Sequence, residues 1–273
     1  MDRLSTLLTH FSAHASTYFS GAFCATERFP AAEGRGHVHL LRKGRVSFRT
    51  EDGQRIRVEE PSLLLVPRPY GHELQADEAD GAELVCASLA FDGGMDNPLT
   101  RALPSYSLVP LSQLPSLAGN LDWLFAEAFG AECGRDAILN RLFELMLIQL
   151  LRHLMATSGL SAGMLAGLAE PRLARALTLM HDEPARSWSV EELAQACHMS
   201  RASFAALFRK VIGATPADYL VGWRVSLAQK RLREGRPVAL IADETGYESP
   251  SALARAFRRK VGASPREWLQ GAQ

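Results

Sequence analysis

The last eighty residues of the chain repeat themselves, and this repeat limits the possible folds more than any other feature of the sequence. Ser200, Phe204, Phe208, Arg209, Gly213, Ala214, Thr215, Pro216, Tyr219 and Leu220 recur 49 positions later as Ser249, Leu253, Phe257, Arg258, Gly262, Ala263, Ser264, Pro265, Trp268 and Leu269. Upstream, Val190, Leu193 and Ala194 match Val238, Ile241 and Ala242 at an offset of 48, so the second copy has one more residue in its turn. Each copy reads as two helices. Ser189 can cap the helix from Val190 to Cys197, with Glu191 and Glu192 in the first turn, where the helix dipole favours acids. After a turn at His198-Met199, Ser200 caps a second helix that ends near Gly213, ahead of Pro216.

A helix-turn-helix pair is a device for placing its second helix in the major groove. In the first copy Phe204, Leu207 and Phe208 share one face, which leaves Arg201, Ala202, Ser203, Ala205, Ala206 and Arg209 on the others. In the second, Ser249 is the cap, Leu253, Ala256 and Phe257 point inward, and Ser251, Ala252, Arg255, Arg258 and Arg259 point outward. Small or basic residues opposite an apolar stripe let a helix approach DNA closely. The residues expected at DNA are therefore Arg201, Ala202, Ser203, Ala206, Arg209, Ser249, Ser251, Ala252, Arg255, Arg258 and Arg259. Arg255 suits a bidentate contact to guanine, and Arg201, Arg209, Arg258 and Arg259 suit phosphates, which position without specifying. Between the copies, residues Ala217 to Arg233 form a long helix with Tyr219, Leu220, Trp223, Leu227 and Leu232 on one side, a rod that holds both reading helices at one separation.

Charge supports this division. The whole chain balances 30 basic against 30 acidic residues, but from Pro171 onward 16 Lys and Arg face 10 Asp and Glu. The first 170 residues carry 14 against 20. A basic half joined to an acidic half suggests a DNA-facing domain attached to one with other work.

Gly246-Tyr247-Glu248-Ser249, Ala256-Phe257-Arg258-Arg259, Gly262-Ala263-Ser264-Pro265 and the preceding Ile241-Ala242 resemble the signature of the arabinose-regulator (AraC/XylS) family, from about Pro171 to Trp268. The resemblance implies an all-α, seven-helix DNA-binding domain and transcription controlled by a sensory N-terminal domain. Its partners would be double-stranded DNA and, for an activator, RNA polymerase. One departure is that the first reading helix offers Ala202, Ala205 and Ala206 where larger polar residues often serve, so its readout would rest on thymine methyls or DNA shape.

The N-terminal part reads differently. Leu4, Leu7, Leu8 and Phe11 make a short helical stripe within residues 1 to 20, a packing arm. From Gly21 to about Phe91, short runs at His37 to Leu41, Val46 to Arg49, Ile56 to Val58, Leu63 to Val66 and Glu83 to Phe91 alternate with turn signals such as Glu51-Asp52-Gly53-Gln54, the pattern of a small all-β barrel or sandwich. Helices resume near Leu111, with Leu117, Leu121, Leu124 and Phe125 in one stripe. Asp136 can cap a second helix to Met155 that is apolar around most of its circumference and is expected to be buried in the core or against a second copy in a homodimer. The fold expected is thus α+β: a small β-barrel over residues 1–110, a helical dimerisation segment over 111–158, a glycine-marked linker over 159–170 and the DNA-binding domain over 171–273.

No apolar run with a small-residue cleavage site follows Met1, so no secretory signal is expected. The most apolar stretch, Ala137 to Met155, is too polar for a bilayer span of about 20 residues. Four cysteines without a CxxC pair suggest neither a disulfide framework nor a zinc ribbon. The expectation is a soluble, cytoplasmic protein that does not contact membrane.

Gly36-His37-Val38-His39, Gly44, Val66-Pro67-Arg68-Pro69-Tyr70-Gly71-His72 and Asn97-Pro98-Leu99 resemble the cupin-type sensor domain of part of the same family. His37 and His39 share a strand face and can converge with His72. Cys24 and Cys86 lie on flanking strands, so Cys24, His39, His72 and Cys86, with His37 as a further candidate, could bind zinc. A second reading, implied by resemblance to reactive-chlorine-sensing members, makes Cys24 and Cys86 an oxidant switch. A third leaves them as small buried cysteines beside hydrogen-bonded histidines. Cys133 and Cys197 read as buried helix residues. Lys43, four residues after His39, stands where metal-cupin enzymes often carry a glutamate ligand. No nucleophile–base order or phosphate loop stands out, so no catalysis is expected.

Overall fold

The structure is a computed structural model that describes residues 2–77, 81–157 and 162–271. The chain divides into two compact units, one comprising Ala13–Met95 with Leu103–Leu154 and the other comprising Met1–Ser12, Asp96–Ala102 and Met155–Gln273.

Among the described residues, the first unit is built on nine antiparallel strands: β1 (Ala13–Phe23), β2 (Thr26–Phe29), β3 (Gly36–Gly44), β4 (Val46–Thr50), β5 (Arg55–Val58), β6 (Ser62–Val66), β7 (His72–Ala76), β8 (Ala82–Phe91) and β9 (Ser107–Pro110). They form two sheets, ordered β1-β8-β3-β6-β9 and β2-β7-β4-β5. Phe23, Leu41, Leu64, Leu84 and Cys86 of the larger sheet and Phe29, Phe48, Val58 and Leu74 of the smaller make one core, because alternate residues of each strand point to the same side. Strands expected at His37 to Leu41, Val46 to Arg49, Ile56 to Val58, Leu63 to Val66 and Glu83 to Phe91 are all present. β1 begins eight residues before the expected change at Gly21. Its small and polar residues carry too weak an alternation to read as a strand, and its pairing comes from β8 along Ala13–Phe23.

Two helices complete this unit, labelled here αA (Ala118–Ala128) and αB (Arg135–Ala156). Asn140 of αB accepts from the Thr17 amide of β1 at 2.8 Å. Leu139, Leu142, Phe143, Met146, Leu147, Leu150, Leu151 and Leu154 are buried, so most of the apolar circumference of αB is already covered. Leu145 remains 44% exposed on it, and Trp123 of αA 57%.

The second unit begins with αC (Ser5–His10) and αD (Pro98–Ala102), followed by αE (Met164–Ala169), αF (Pro171–Asp182), αG (Val190–Ala196), αH (Arg201–Ile212), αI (Pro216–Arg233), αJ (Val238–Glu244), αK (Pro250–Val261) and αL (Pro265–Gly271). The seven from αF onward are the expected all-α domain. The compact units cut across the expected boundaries in two places. Residues 1–12 and 96–102 belong to this unit rather than to the barrel. Of the expected linker, Gly159 lies outside the described residues, and 164–169 is a helix with Met164, Leu165 and Leu168 buried. Gly167 does not loosen that helix: a Cβ there would meet Ile212 at 2.2 Å, so the glycine permits close packing against αH. Phe11 of the arm lies edge-on to Trp223 at 5.2 Å, and His181 stacks on the same indole at 3.9 Å. Among the described residues, no helix is long and apolar enough to cross a membrane.

Candidate nucleic-acid interface and barrel interior

The two helix-turn-helix units are αG–αH and αJ–αK. αH and αK are both 12 residues long and both end on a left-handed glycine, Gly213 (φ 83°) and Gly262 (φ 88°). Ser189 and Glu192 form a reciprocal capping box at αG. Ser200 accepts from the Ser203 amide, and Ser249 from the Ala252 amide. The turns also correspond, with His198 (φ 54°) in the first and Gly246 (φ 72°) in the second.

Burial sorts the reading helices as the sequence suggests. Phe204 and Phe208 are fully buried, as are Leu253 and Phe257. Arg201, Ala202, Ser203, Ala206 and Arg209 are exposed on αH, and Ser251, Arg255, Arg258 and Arg259 on αK. Ala205, Ser249 and Ala252 are half-buried at the edges of these faces. Arg258 is bound to Glu267 at 3.2 Å, and Glu267, held by Ser264 and Arg258, has its carboxyl drawn down to about 2. A phosphate at Arg258 would therefore have to displace a carboxylate, whereas Arg255 has no ion pair among the described residues. Lys210 and Lys260, which the sequence reading passed over, are exposed in the last turns beside Arg209 and Arg259. Their place in the repeat, next to arginines already assigned, was the signal available.

In the barrel the expected cysteine–histidine cluster forms only in part. His39 sits opposite Cys86 in the β3–β8 register, with Nδ1 3.2 Å from the Cys86 Sγ, and its Nε2 lies 3.0 Å from Nε2 of His72. His72 Nδ1 is 2.8 Å from the Tyr70 carbonyl oxygen. That carbonyl can only accept, so His72 carries its proton on Nδ1 and presents a lone pair at Nε2. His39 then donates from Nε2, which leaves its Nδ1 to accept from the Cys86 thiol. The chain of donors runs from sulfur to backbone with every tautomer fixed by the last acceptor. Burial holds His72 down to about 4 and His39 well below its ordinary range, so both are neutral near pH 7. Burial also pushes the Cys86 thiol up, and the Tyr18 hydroxyl, hydrogen-bonded to the sulfur, opposes that shift.

His37 lies parallel to His39 with ring centres 5.8 Å apart, and its Nδ1 is buried without a hydrogen-bond partner among the described residues. Phe29 stacks on His72 at 4.7 Å. Tyr18 and Phe29, absent from the sequence reading, wall this cluster, and nothing in their spacing marked them. An open cavity of about 640 Å³, lined in part by Arg28, Glu33, Arg49 and Glu51, reaches His72.

Cys24 is not part of the cluster. It follows the end of β1, whereas Cys86 pairs with Phe19, and five residues at about 3.3 Å each place them about 16 Å apart along the sheet. Cys24 is exposed and lies against Gly81, and Cys86 is buried. The four-residue zinc set of Cys24, His39, His72 and Cys86 is therefore not assembled. Among the described residues, no three His, Cys, Asp or Glu side chains are arranged to hold a metal ion. Cys133 is exposed between αA and αB, and Cys197 is only partly buried at the end of αG, contrary to the expectation of buried helix positions.

Residues 2–156 match a family described as Cupin and residues 193–271 one described as Helix-turn-helix domain. Putative AraC-like transcription regulators of Streptomyces antibioticus and Streptomyces lividans are 45% and 44% identical over 48% and 71% of this chain. The chain spans 44% and 65% of their lengths, less than two thirds of each. The RCS-specific HTH-type transcriptional activator RclR of Escherichia coli (strain K12) is 30% identical over 99% of this chain and 98% of its own.

Proposed function

Because the chain belongs to the AraC-like transcription regulators that carry a cupin domain ahead of the helix-turn-helix domain, we propose that it is a DNA-binding regulator whose barrel receives an oxidant at Cys86. The observation that carries the signal is the fixed donor chain from Cys86 through His39 and His72 to the Tyr70 carbonyl. Burial keeps the Cys86 thiol protonated and His39 neutral at rest, so the proton would pass to the adjacent His39 Nδ1 only as the sulfur attacks the oxidant. With hypochlorous acid as oxidant, sulfur gives up two electrons and gains the hydroxyl, chloride leaves, and the thiol proton passes to His39; the product is a sulfenic acid. The name of the Escherichia coli relative, which is RCS-specific, supports this choice of oxidant.

The test is a reporter driven by the chain's own target promoter and challenged with hypochlorous acid. Cys86→Ser is expected to abolish the response, and an unchanged response overturns the oxidant reading. Loss in Cys24→Ser as well would identify the exposed thiol as the partner that resolves the sulfenic acid, which requires the end of β1 to leave β8. The regulator acts in the cytoplasm as a homodimer in which Leu145 of αB is covered by a second copy, and as an activator it would also engage RNA polymerase. Sedimentation should show a dimer at micromolar concentration and a monomer for Leu145→Glu.

A further inference from the structure

αI is shared by both helix-turn-helix units. Phe208 of the first packs on Tyr219 near its start at 5.7 Å, and Ile241, Leu253 and Phe257 of the second close on Val225, Ala228 and Leu232 farther along. A helix alone would tether the two reading heads through their separate side-chain contacts. The structure adds a direct seam between them. Gly246, in the turn of the second head, lies so close to the backbone ahead of αG that a Cβ would stand 2.3 Å from the Ala185 carbonyl oxygen and 2.6 Å from its Cα.

Arg224, from the middle of αI, reaches into that seam. Its Nε donates to the Pro184 carbonyl at 2.6 Å, and its terminal nitrogens donate to Ala185 at 3.4 Å, Arg186 at 2.9 Å and Gly246 at 3.4 Å. Three of these carbonyls precede the first head and the fourth belongs to the turn of the second. Tyr247 lies beneath the guanidinium at 5.6 Å. A planar group with five donors in a fixed fork can hold four carbonyls from two segments at one relative angle, and neither lysine nor an apolar side chain can do the same.

We propose that Arg224 sets the separation and angle at which αH and αK meet DNA, and so determines which spacing between two major-groove segments this chain accepts. The proposal rests on the DNA-binding reading given above. One inserted base pair moves the second segment by about 3.4 Å and turns it by about a tenth of a helical turn. A clamped pair of heads cannot follow that change, whereas an unclamped pair can adjust in part. Arg224 touches no DNA in this account and acts by positioning the two heads.

The experiment first selects a duplex from a random-sequence pool with the full wild-type chain, and then measures binding to that duplex and to versions with one base pair added or removed between the two segments. The wild type is expected to lose at least tenfold in affinity on either change. Arg224→Met is expected to lose only two- to threefold, with Arg224→Lys in between. Partial unfolding lowers the active fraction equally for all three duplexes and cancels in the ratio, so a merely structural role leaves the spacing dependence of the variants unchanged. A ratio for Arg224→Met equal to that of the wild type overturns the proposal while leaving DNA binding intact. Failure of the wild type to select any sequence overturns the DNA-binding reading itself. If Arg224→Met does not fold, Arg224→Gln, which keeps a donor for one carbonyl, is read by the same ratio.

Discussion

His72 is held at about 4 by burial, against the ordinary 6.5, while its Nδ1 proton is committed to the Tyr70 carbonyl. An unfolded chain protonates this ring as the pH falls through 6.5, whereas the folded chain resists until about 4. Its contribution to stability is therefore complete above pH 6.5 and is lost as the pH falls toward 4. The shift corresponds to about 3 kcal/mol at 1.36 kcal/mol per unit, and His37, also drawn down to about 4, adds in the same direction. The urea midpoint of the barrel unit should fall steadily between pH 6.5 and 4, and less steeply in His72→Phe. The strand positions of His37, His39 and His72 were legible in the sequence, because alternation fixes which residues share a face. The separation of Cys24 from Cys86 was not, since it depends on the β1–β8 register, which no local pattern encodes. The turn residues show a similar limit. Left-handed backbone is needed at both His198 and Gly246, and Gly246 also abuts another backbone, so there the residue must lack a Cβ as well.

At the scale of elements, the repeat made αH and αK readable to the residue, because caps and closing glycines recur with the apolar stripe. The roles of their arginines depend on partners that lie outside the repeat. Arg258 answers to Glu267 of αL, whereas Arg255 has no ion pair among the described residues. Arg255→Ala should cost about 1–3 kcal/mol of binding to the selected duplex and relax the preference at one base pair. Arg258→Ala should weaken binding to all sequences alike and reduce the salt dependence by about one phosphate contact. Gel-shift titrations at several salt concentrations separate the two. αE was missed for a related reason. Gly167 reads as a breaker, and only its contact with Ile212 reveals a helix packed too closely for a side chain.

For the whole molecule, order along the chain and membership of a unit do not coincide. Leu7 and Phe11 are fully or almost fully buried in the DNA-binding unit, Lys230 donates to the His10 carbonyl, and Asp96 pairs with both Arg101 and Arg233. Deleting residues 2–11 should destabilise that unit by several kcal/mol, on the scale of removing two large core side chains. Thermal unfolding followed by the fluorescence of Trp223 and its neighbours should show an earlier transition while the strand signal in circular dichroism is retained; an unchanged transition would contradict the packing of the arm.

The packing of αC into the DNA-binding unit has a consequence for recombination. A gene fragment encoding residues 171–273 resembles a portable cassette, but its cut ends leave Trp223 without Phe11 and His181 without its neighbour His10. Exchanging that cassette between two related regulators would therefore pair each reading module with a foreign αC. Chimeras of this kind should inherit their promoter choice from one parent and their solubility from the match of residues 1–11, which lie far from the cassette in sequence.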